Sequence, residues 1–212
     1  MIEKFVCNAD AACKVASTTF ITKTGAYTGV ISQASVRESA SGATAVDLVF
    51  KCAQSGELAF ITLWVLSKTG ERTFNHDILD ALMAVLNISE MRVVRGKVFD
   101  RNSQVSEGYR LPELEKKAVG MLLQREQRFY MTDSGEEKEL FQMNLRTPFN
   151  VDTKQIAKEI LHDIAPTRLE YLIETTKDKA GKHVQNTPAQ SFESAPRSGY
   201  KEAVVNEDIP FD

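Results

Sequence analysis

The sequence predicts a mainly β fold built around a central strand in residues 57–68, ELAFITLWVLSK. Residue types alternate along this segment, and a period of two indicates a β-strand with two different faces. One face carries Ala59, Ile61, Leu63 and Val65, and the other carries Phe60, Thr62, Trp64 and Leu66. The first set suits a packed interior. The second set either packs against another layer or forms a platform on which flat ligands stack.

Two further strands are predicted before the central one, in residues 26–39, AYTGVISQASVRES, and 45–52, AVDLVFKC. In the first, Val30, Ala34 and Val36 share one face, and Tyr27, Gln33 and Arg37 share the other. In the second, Val46, Leu48 and Phe50 face one way, and Asp47 and Lys51 face the other. Gly29 inside the first strand predicts a bulge or a sharp bend, which a small barrel needs at its corners.

A helix and more strands are predicted after the central strand. Asn75 is expected to cap a helix in HDILDALMAVLN, and a basic strand, MRVVRGKVF, follows it. AVGMLLQREQRFYM and ELFQMNLRTPF predict a hairpin around Gly135. Asp152 and Gln155 are expected to form a capping box for a C-terminal helix, VDTKQIAKEILHDI, that ends before Pro166.

The predicted order from Tyr27 to Phe99 is strand, strand, strand, helix, strand. This is the order of an OB fold, a five-stranded Greek-key barrel. We therefore predict one domain over residues 1–176, an OB-like Greek-key barrel with an inter-strand helix, an added β-hairpin and a C-terminal helix. From Lys177 the apolar content collapses, and residues 177–212 are predicted to be a flexible, disordered tail.

Composition and motifs argue against several classes of function. The 212 residues include three cysteines without a CxxC pair and three histidines, too few for a zinc set. The sequence contains no phosphate-binding loop, dinucleotide-binding motif or nucleophile elbow. We therefore expect neither an enzyme nor a cofactor or metal site. Neither a signal peptide nor an apolar run of membrane-spanning length is visible, so we expect a cytoplasmic protein without a membrane partner.

Charge and aromatic residues favour nucleic-acid binding over part of the chain. The net charge is −3, but residues 92–128 hold nine basic and five acidic side chains. OB barrels bind single strands by stacking bases on aromatic rings while Lys and Arg contact phosphates. The candidate DNA-binding residues are Tyr27, Arg37, Lys51, Phe60, Trp64, Arg92, Arg95, Lys97, Arg101, Tyr109, Arg110, Arg125, Arg128 and Tyr130.

The last six residues predict a partner-binding tip. They are Glu207, Asp208, Ile209, Pro210, Phe211 and Asp212. The acids steer toward a basic partner, and the two apolar side chains suit an apolar pocket. Pro210 reduces the entropy lost on docking. A second predicted use of this acidic tip is to occupy the chain's own basic groove when DNA is absent.

Residues 207–211, EDIPF, resemble the C-terminal tip of bacterial single-stranded DNA-binding proteins, which recruit replication and repair enzymes through it. That bacterial tip ends at Phe, whereas here Asp212 follows. The runs TGAYTGVI (24–31), LDALMAVL (79–86) and KKAVGMLLQRE (116–126) resemble bacteriophage-encoded single-stranded DNA-binding proteins.

The resemblance implies non-sequence-specific binding and protection of single strands in phage DNA replication and recombination, inside a host cytoplasm. The implied partners are single-stranded DNA and, through the tip, replication and recombination proteins. A homo-oligomer is compatible with the sequence. The alternative is a protein-interaction adaptor in recombination that works through the tip and has little DNA affinity of its own.

Overall fold

The computed structural model describes residues 19–100, 104–132 and 135–181, and within them the fold is mainly β. Seven strands form one antiparallel sheet: β1 (Gly25–Glu38), β2 (Thr44–Cys52), β3 (Leu58–Leu66), β4 (Val94–Phe99), β5 (Val105–Arg110), β6 (Ala118–Met131) and β7 (Glu137–Phe149). The helices are short: α1 (Phe74–Val85), α2 (Ala157–Leu161) and α3 (Arg168–Thr175). In this part of the chain, every helix is too short or too polar to cross a membrane.

Strand β1 is the centre of the sheet. One of its edges pairs with β2, and the other pairs with β6 along the first half of the strand and with β5 near its end. The predicted fourth strand, residues 91–99, contains β4, which pairs with β5. The strand with the longer pairing to β1 after the helix is β6, with six residue pairs against two for β5. Strand β3 contacts β7, but no ladder joins them among the described residues, so the sheet is not closed.

The core lies between the sheet and α1. The alternation predicted for the central strand is confirmed, because Ala59, Ile61, Leu63 and Val65 on β3 are all buried. Phe50 on β2 and Leu82 on α1 are fully buried in the same cluster. Helix α1 is capped by Thr73 rather than by the predicted Asn75, since the Thr73 side chain accepts from the Asn75 amide at 3.2 Å.

The predicted faces of β1 need a correction. The register with β2 shifts between Ile31 and Gln33, so the bulge lies there and not at Gly29. An extra residue exchanges the two faces of a strand on one side of the bulge. As a result Tyr27 packs against the core, and Val30, predicted to share the face of Ala34, is exposed.

The helix predicted before Pro166 is shorter than expected. Residues 151–153 form a turn, in which the Asn150 side chain accepts from the amides of Asp152 at 2.9 Å and Thr153 at 3.0 Å. The predicted capping box is therefore wrong, because no helix begins there. Helix α2 covers only part of the predicted span, and α3 follows after Pro166.

Glu159 joins these two helices. It is buried, and its carboxylate accepts from the amides of Ile156 at 2.9 Å, Thr167 at 2.8 Å and Arg168 at 2.9 Å. Burial alone would raise the pKa of Glu159. The hydrogen bonds from the three amides outweigh this effect, and its pKa lies below the usual range.

Replacing Glu159 with glutamine is expected to lower the free energy of unfolding at pH 7 by about 1–3 kcal/mol, because three amides lose a charged acceptor. A lowered folded-state pKa gives stability that is present above the unfolded pKa, about 4.3, and is lost as the pH falls through the folded value. Denaturant unfolding at pH 7 and pH 3 should therefore show a smaller loss toward acid in the variant. The exposed Glu170 in α3 provides the matched control, Glu170→Gln. Equal acid sensitivity of both variants would contradict this role of Glu159.

The segment that begins the predicted tail pairs with β6. The Lys179 amide donates to the Arg125 carbonyl at 2.8 Å, and the Gln127 amide donates to the Lys179 carbonyl at 2.9 Å. Gly181 lies so close to β6 that a Cβ there would meet the Gln127 carbonyl oxygen at 2.0 Å. The chain therefore follows β6 as far as Gly181, the last described residue. The rest of the predicted tail and its tip, residues 207–212, lie outside the described residues.

Candidate nucleic-acid interface

The side of β3 opposite the core carries Phe60, Thr62 and Trp64. The register places Val49 of β2 beside Phe60, and Asp47 and Ala45 beside Thr62 and Trp64. Strand β1 continues this side of the sheet. We call this surface the aromatic face. Its aromatic and basic side chains are Phe20, Arg37, Lys51, Phe60 and Trp64.

Trp64 is exposed and held in place on the aromatic face. The residue is 36% exposed, and the Arg37 guanidinium carbon lies 4.7 Å from the ring centroid. This geometry is that of a cation–π contact. Arg37 is itself fixed by an ion pair with Asp47, whose other oxygen accepts from the Thr62 hydroxyl at 2.5 Å. The ring is therefore pre-organised by charged and polar neighbours, and part of it remains open to solvent.

Phe60 has a second aromatic ring beside it. The centroid of the Phe20 ring lies 5.9 Å away, and the two planes are tilted by 50°. Phe20 is 43% exposed and is positioned by pairing of its neighbours with β3. The Ile21 amide donates to the Leu58 carbonyl, and the Leu58 amide donates to the Thr19 carbonyl, both at 2.9 Å. Sequence analysis missed Phe20, because too little alternation surrounds it to indicate a strand.

The β4–β5 hairpin, which we call the arm, has two unlike sides beyond its base. There one side is half-buried and the other is exposed, whereas at the base Val94 is exposed and Tyr109 is half-buried. The half-buried side contains Gly96, Val98, Ser106, Gly108 and Arg110. The exposed side contains Arg95, Lys97, Phe99, Val105 and Glu107. Two cations and an aromatic ring thus project from the outer side of the arm.

Arg110 acts as a brace at the base of the arm. Its Nε donates to Glu115 Oε1 at 2.9 Å, and a second guanidinium nitrogen pairs with the other carboxylate oxygen. This hydrogen-bonded pairing raises the pKa of Arg110. Glu115 Oε1 also accepts from the Ala34 amide at 3.3 Å. The charge of Arg110, a predicted DNA-binding residue, is therefore already balanced by a carboxylate.

The remaining predicted cations differ in their surroundings. Lys51, Arg95, Lys97 and Arg128 are exposed and make no ion pair within the described part of the chain. Arg92 lies 3.5 Å from the Glu90 carboxylate on an open surface. Arg125 pairs with Glu139 at 2.8 Å and with Asp178 at 3.7 Å, and its guanidinium carbon lies 5.1 Å from the centroid of the Phe141 ring.

The structure thus brings together only some of the predicted site residues. Arg37, Lys51, Phe60 and Trp64 share the aromatic face, and Arg95, Lys97, Tyr109 and Arg110 belong to the adjacent arm. Arg125 and Arg128 lie on β6 at the other end of β1, where Gly25 pairs with Leu123. Tyr130 lies in β6 as well. Arg101 lies outside the described residues.

Tyr27 does not belong to the aromatic face. Its ring packs against the core, and its hydroxyl donates to the Lys23 carbonyl at 2.9 Å. Burial is the main cause of its raised pKa, followed by the charges of Glu57 and Cys52. The bulge after Ile31 explains why the alternation placed this tyrosine on the wrong side of β1.

Comparison of the chain with models of protein families and with curated proteins finds no match. The resemblance to phage single-stranded DNA-binding proteins therefore gains no support from these comparisons. A function must therefore be inferred from the geometry of the aromatic face and the arm.

Proposed function

We propose that the chain binds single-stranded DNA non-covalently through the aromatic face. The observation that carries this proposal is the exposed Trp64 ring, held by Arg37 on the same sheet surface as the Phe60–Phe20 pair. Exposed rings on a β-sheet stack unpaired bases, and each stacked base contributes about 1–3 kcal/mol. Lys51 at the edge of this surface supplies a positive charge for the phosphates.

The order of the strands supports an OB-like barrel as the scaffold. Strands β1, β2 and β3, then α1, then β6 and β7 follow the OB sequence of elements. The arm is inserted between the helix and the fourth strand of this order. Strand β6 pairs with β1, and β3 contacts β7 where a complete barrel would close. In OB folds the surface of strands 2 and 3 binds oligonucleotides, and here β2 and β3 bear the aromatic face.

Recognition of single strands rather than duplexes follows from stacking. A paired base has both of its faces covered by neighbours, whereas an unpaired base can lie on Trp64 or Phe60. Little sequence preference is expected, because every base has a flat aromatic surface. Coating and protecting exposed strands during phage replication and recombination is the role that the sequence resemblance adds to this proposal.

Partner recruitment through residues Glu207–Asp212 belongs to the same proposal and rests on the sequence of the tip alone. The acids there would approach a basic surface, and Ile209 and Phe211 would enter an apolar pocket. This tip also favours the second candidate function, an adaptor with little DNA affinity. An adaptor would lose its protein partner when the tip is removed and would show no preference for single strands.

We expect the full chain to retard a labelled oligo-thymidine of about 30 nucleotides in a mobility assay, and not a matched duplex, since one OB fold covers about 4–16 nucleotides. Binding should weaken between 50 and 200 mM salt. Each phosphate contact on a single strand adds about −0.7 to the slope of log affinity against log salt. With Lys51, Arg95 and Lys97 in contact, the expected slope is about −2. Equal retardation of the duplex would contradict the stacking proposal, and no retardation of either would favour the adaptor.

A further inference from the structure

The arm joins the sheet at its base and touches the sheet again near its far end. At the base, β5 pairs with β1 through Arg110 beside Ser35 and Tyr109 beside Val36. At the far end, Phe99 of β4 pairs with Val105 of β5. A strand of six residues spans about 17–20 Å, so a flat hairpin extending the sheet would carry Phe99 well beyond the end of β1.

Gln33 on β1 brings the arm back. Its side-chain Nε2 donates to the Phe99 carbonyl at 3.0 Å, and its Oε1 accepts from the Phe99 amide at 2.8 Å. The side-chain amide of Gln33 thus makes the two hydrogen bonds with the Phe99 main chain that a neighbouring strand would otherwise make. Gln33 is only 7% exposed, and a buried side-chain amide is costly unless both of its ends are bonded.

The register shows which way the arm bends. Gln33 pairs with Val49 of β2, and Val49 pairs with Phe60 of β3, so these three side chains share one side of the sheet. That side bears the aromatic face. Because Gln33 reaches the main chain of Phe99 from this side, β4 must bend over it. This bend also accounts for the half-buried inner side of the arm.

Two glycines keep the inner side of the arm compact. A Cβ on Gly96 would lie 3.1 Å from Arg110 Cδ, and a Cβ on Gly108 would lie 2.8 Å from Val98 Cγ2. Because neither glycine has a Cβ, the side chains of Arg110 and Val98 can lie across the hairpin. The outer side keeps Arg95 and Lys97 without ion pairs in the described part of the chain, and Phe99 is 54% exposed.

We propose that Gln33 is a positioning residue that fixes the arm next to the aromatic face, so that one DNA strand contacts both surfaces. This inference rests on the proposed function and deepens it. Bases would stack on Phe60 and Trp64, and the same strand would continue across the outer side of the arm, where Arg95 and Lys97 meet its phosphates. A fixed arm binds more tightly than a loose one, because ordering a loose segment on binding costs free energy.

The inference is tested by the length dependence of binding. We would titrate the full chain, Gln33→Ala, the double variant Arg95→Ala/Lys97→Ala, and the triple variant with oligo-thymidines of about 5 and about 15 nucleotides, within the range of OB site sizes. Gln33→Ala and the double variant are each expected to lose about tenfold in affinity for the long strand and less than about twofold for the short one. The triple variant should be no weaker than the double, because Gln33 acts through the arm.

Two controls separate positioning from a general loss of structure. Gln54→Ala removes another glutamine side-chain hydrogen bond, at 2.9 Å to the Thr28 hydroxyl, away from the arm. It should bind both strands like the unaltered chain. Gln33→Met keeps the size of the side chain without its hydrogen bonds and should behave as Gln33→Ala does. In both Gln33 variants, hydrogen exchange at the Phe99 amide should be faster.

Three results would overturn the inference. These are an unchanged affinity of Gln33→Ala for the long strand, an equal loss for both lengths, and additive losses in the triple variant. If the unaltered chain binds neither strand, the proposed function fails, and the role of Gln33 in DNA binding fails with it. If the unaltered chain binds and Gln33→Ala binds the long strand with the same affinity, only the inference about Gln33 is contradicted.

Discussion

Replacing Trp64 with alanine is expected to weaken oligo-thymidine binding roughly 5- to 150-fold, because one stacked base contributes about 1–3 kcal/mol. The double variant Phe60→Ala/Trp64→Ala should lose more than either single variant, since the two rings lie on one face and each is expected to stack on a different base. The salt slope should change little, because neither ring contacts phosphates. Titration of fluorescently labelled oligo-thymidine at several salt concentrations measures both quantities.

The stability of these variants should stay close to that of the unaltered chain. Both side chains point away from the core, and the buried side of β3 remains complete. The matched control is Phe74→Ala, because Phe74 is an aromatic residue on α1 that is 67% exposed and lies outside the aromatic face. Its affinity for DNA should be unchanged. Equal losses in Phe74→Ala and Trp64→Ala would mean that the aromatic face is not the site.

Gly29→Ala is expected to lower the free energy of unfolding by about 3 kcal/mol, the upper end for overpacking, because the added Cβ meets main chain that cannot rotate away. An added Cβ would lie 2.0 Å from the Lys51 carbonyl oxygen and 2.8 Å from the Phe50 ring. Gly29 pairs with Cys52 of β2 and with Val119 of β6, so the substitution separates β1 from a neighbour. Denaturant unfolding followed by circular dichroism measures the loss.

Gly25→Ala on the same strand provides the control for Gly29→Ala. A Cβ at Gly25 would lie 3.4 Å from the Tyr27 ring, which is an ordinary van der Waals distance. This variant should stay within about 1 kcal/mol of the unaltered chain, the cost expected of a change that neither overpacks nor leaves a cavity. If both glycine variants lost the same stability, the close approach of β1 and β2 at Gly29 would not be the cause.

The central strand was predictable from sequence because its two faces meet different environments. The alternation of Ala59, Ile61 and Leu63 with larger or polar residues is a local signal, and burial of one face fixes it. The faces of β1 were not predictable to the same degree. One bulge after Ile31 reverses the alternation, and the nearest glycine, Gly29, indicates a different position for it.

Which strands pair with each other depends on contacts far apart in the sequence. The predicted strand over residues 91–99 is confirmed for residues 94–99, yet nothing local indicates that β4 forms an arm while β6 pairs along the first half of β1. The role of Gln33 has the same origin, since its partner Phe99 is 66 residues away. In the sequence, Arg110 is one of several basic residues in a basic segment. Only the structure shows that it pairs with Glu115 at the base of the arm.

The sequence left two possibilities open for the outer side of β3, packing against a second layer or exposure to solvent and ligands. Phe60 and Trp64 alternate with core residues, so a solvent-facing or ligand-facing position was one of two possible outcomes. Trp64 is in fact exposed and contacts Arg37, so this side of β3 faces solvent rather than a second layer. The aromatic partner Phe20 was beyond reach, because two hydrogen bonds to Leu58, rather than a local pattern, hold its segment on β3.

The most direct measurement is the intrinsic fluorescence of Trp64 during titration with oligo-thymidine and with a matched duplex. Trp64 is the only tryptophan in the chain, so any quenching of tryptophan emission reports on the aromatic face. We expect strong quenching by the single strand alone, and weaker quenching as the salt concentration rises, because stacking and phosphate contacts act together. Unchanged fluorescence in the presence of a strand that is bound by mobility assay would place the site elsewhere and contradict binding through the aromatic face.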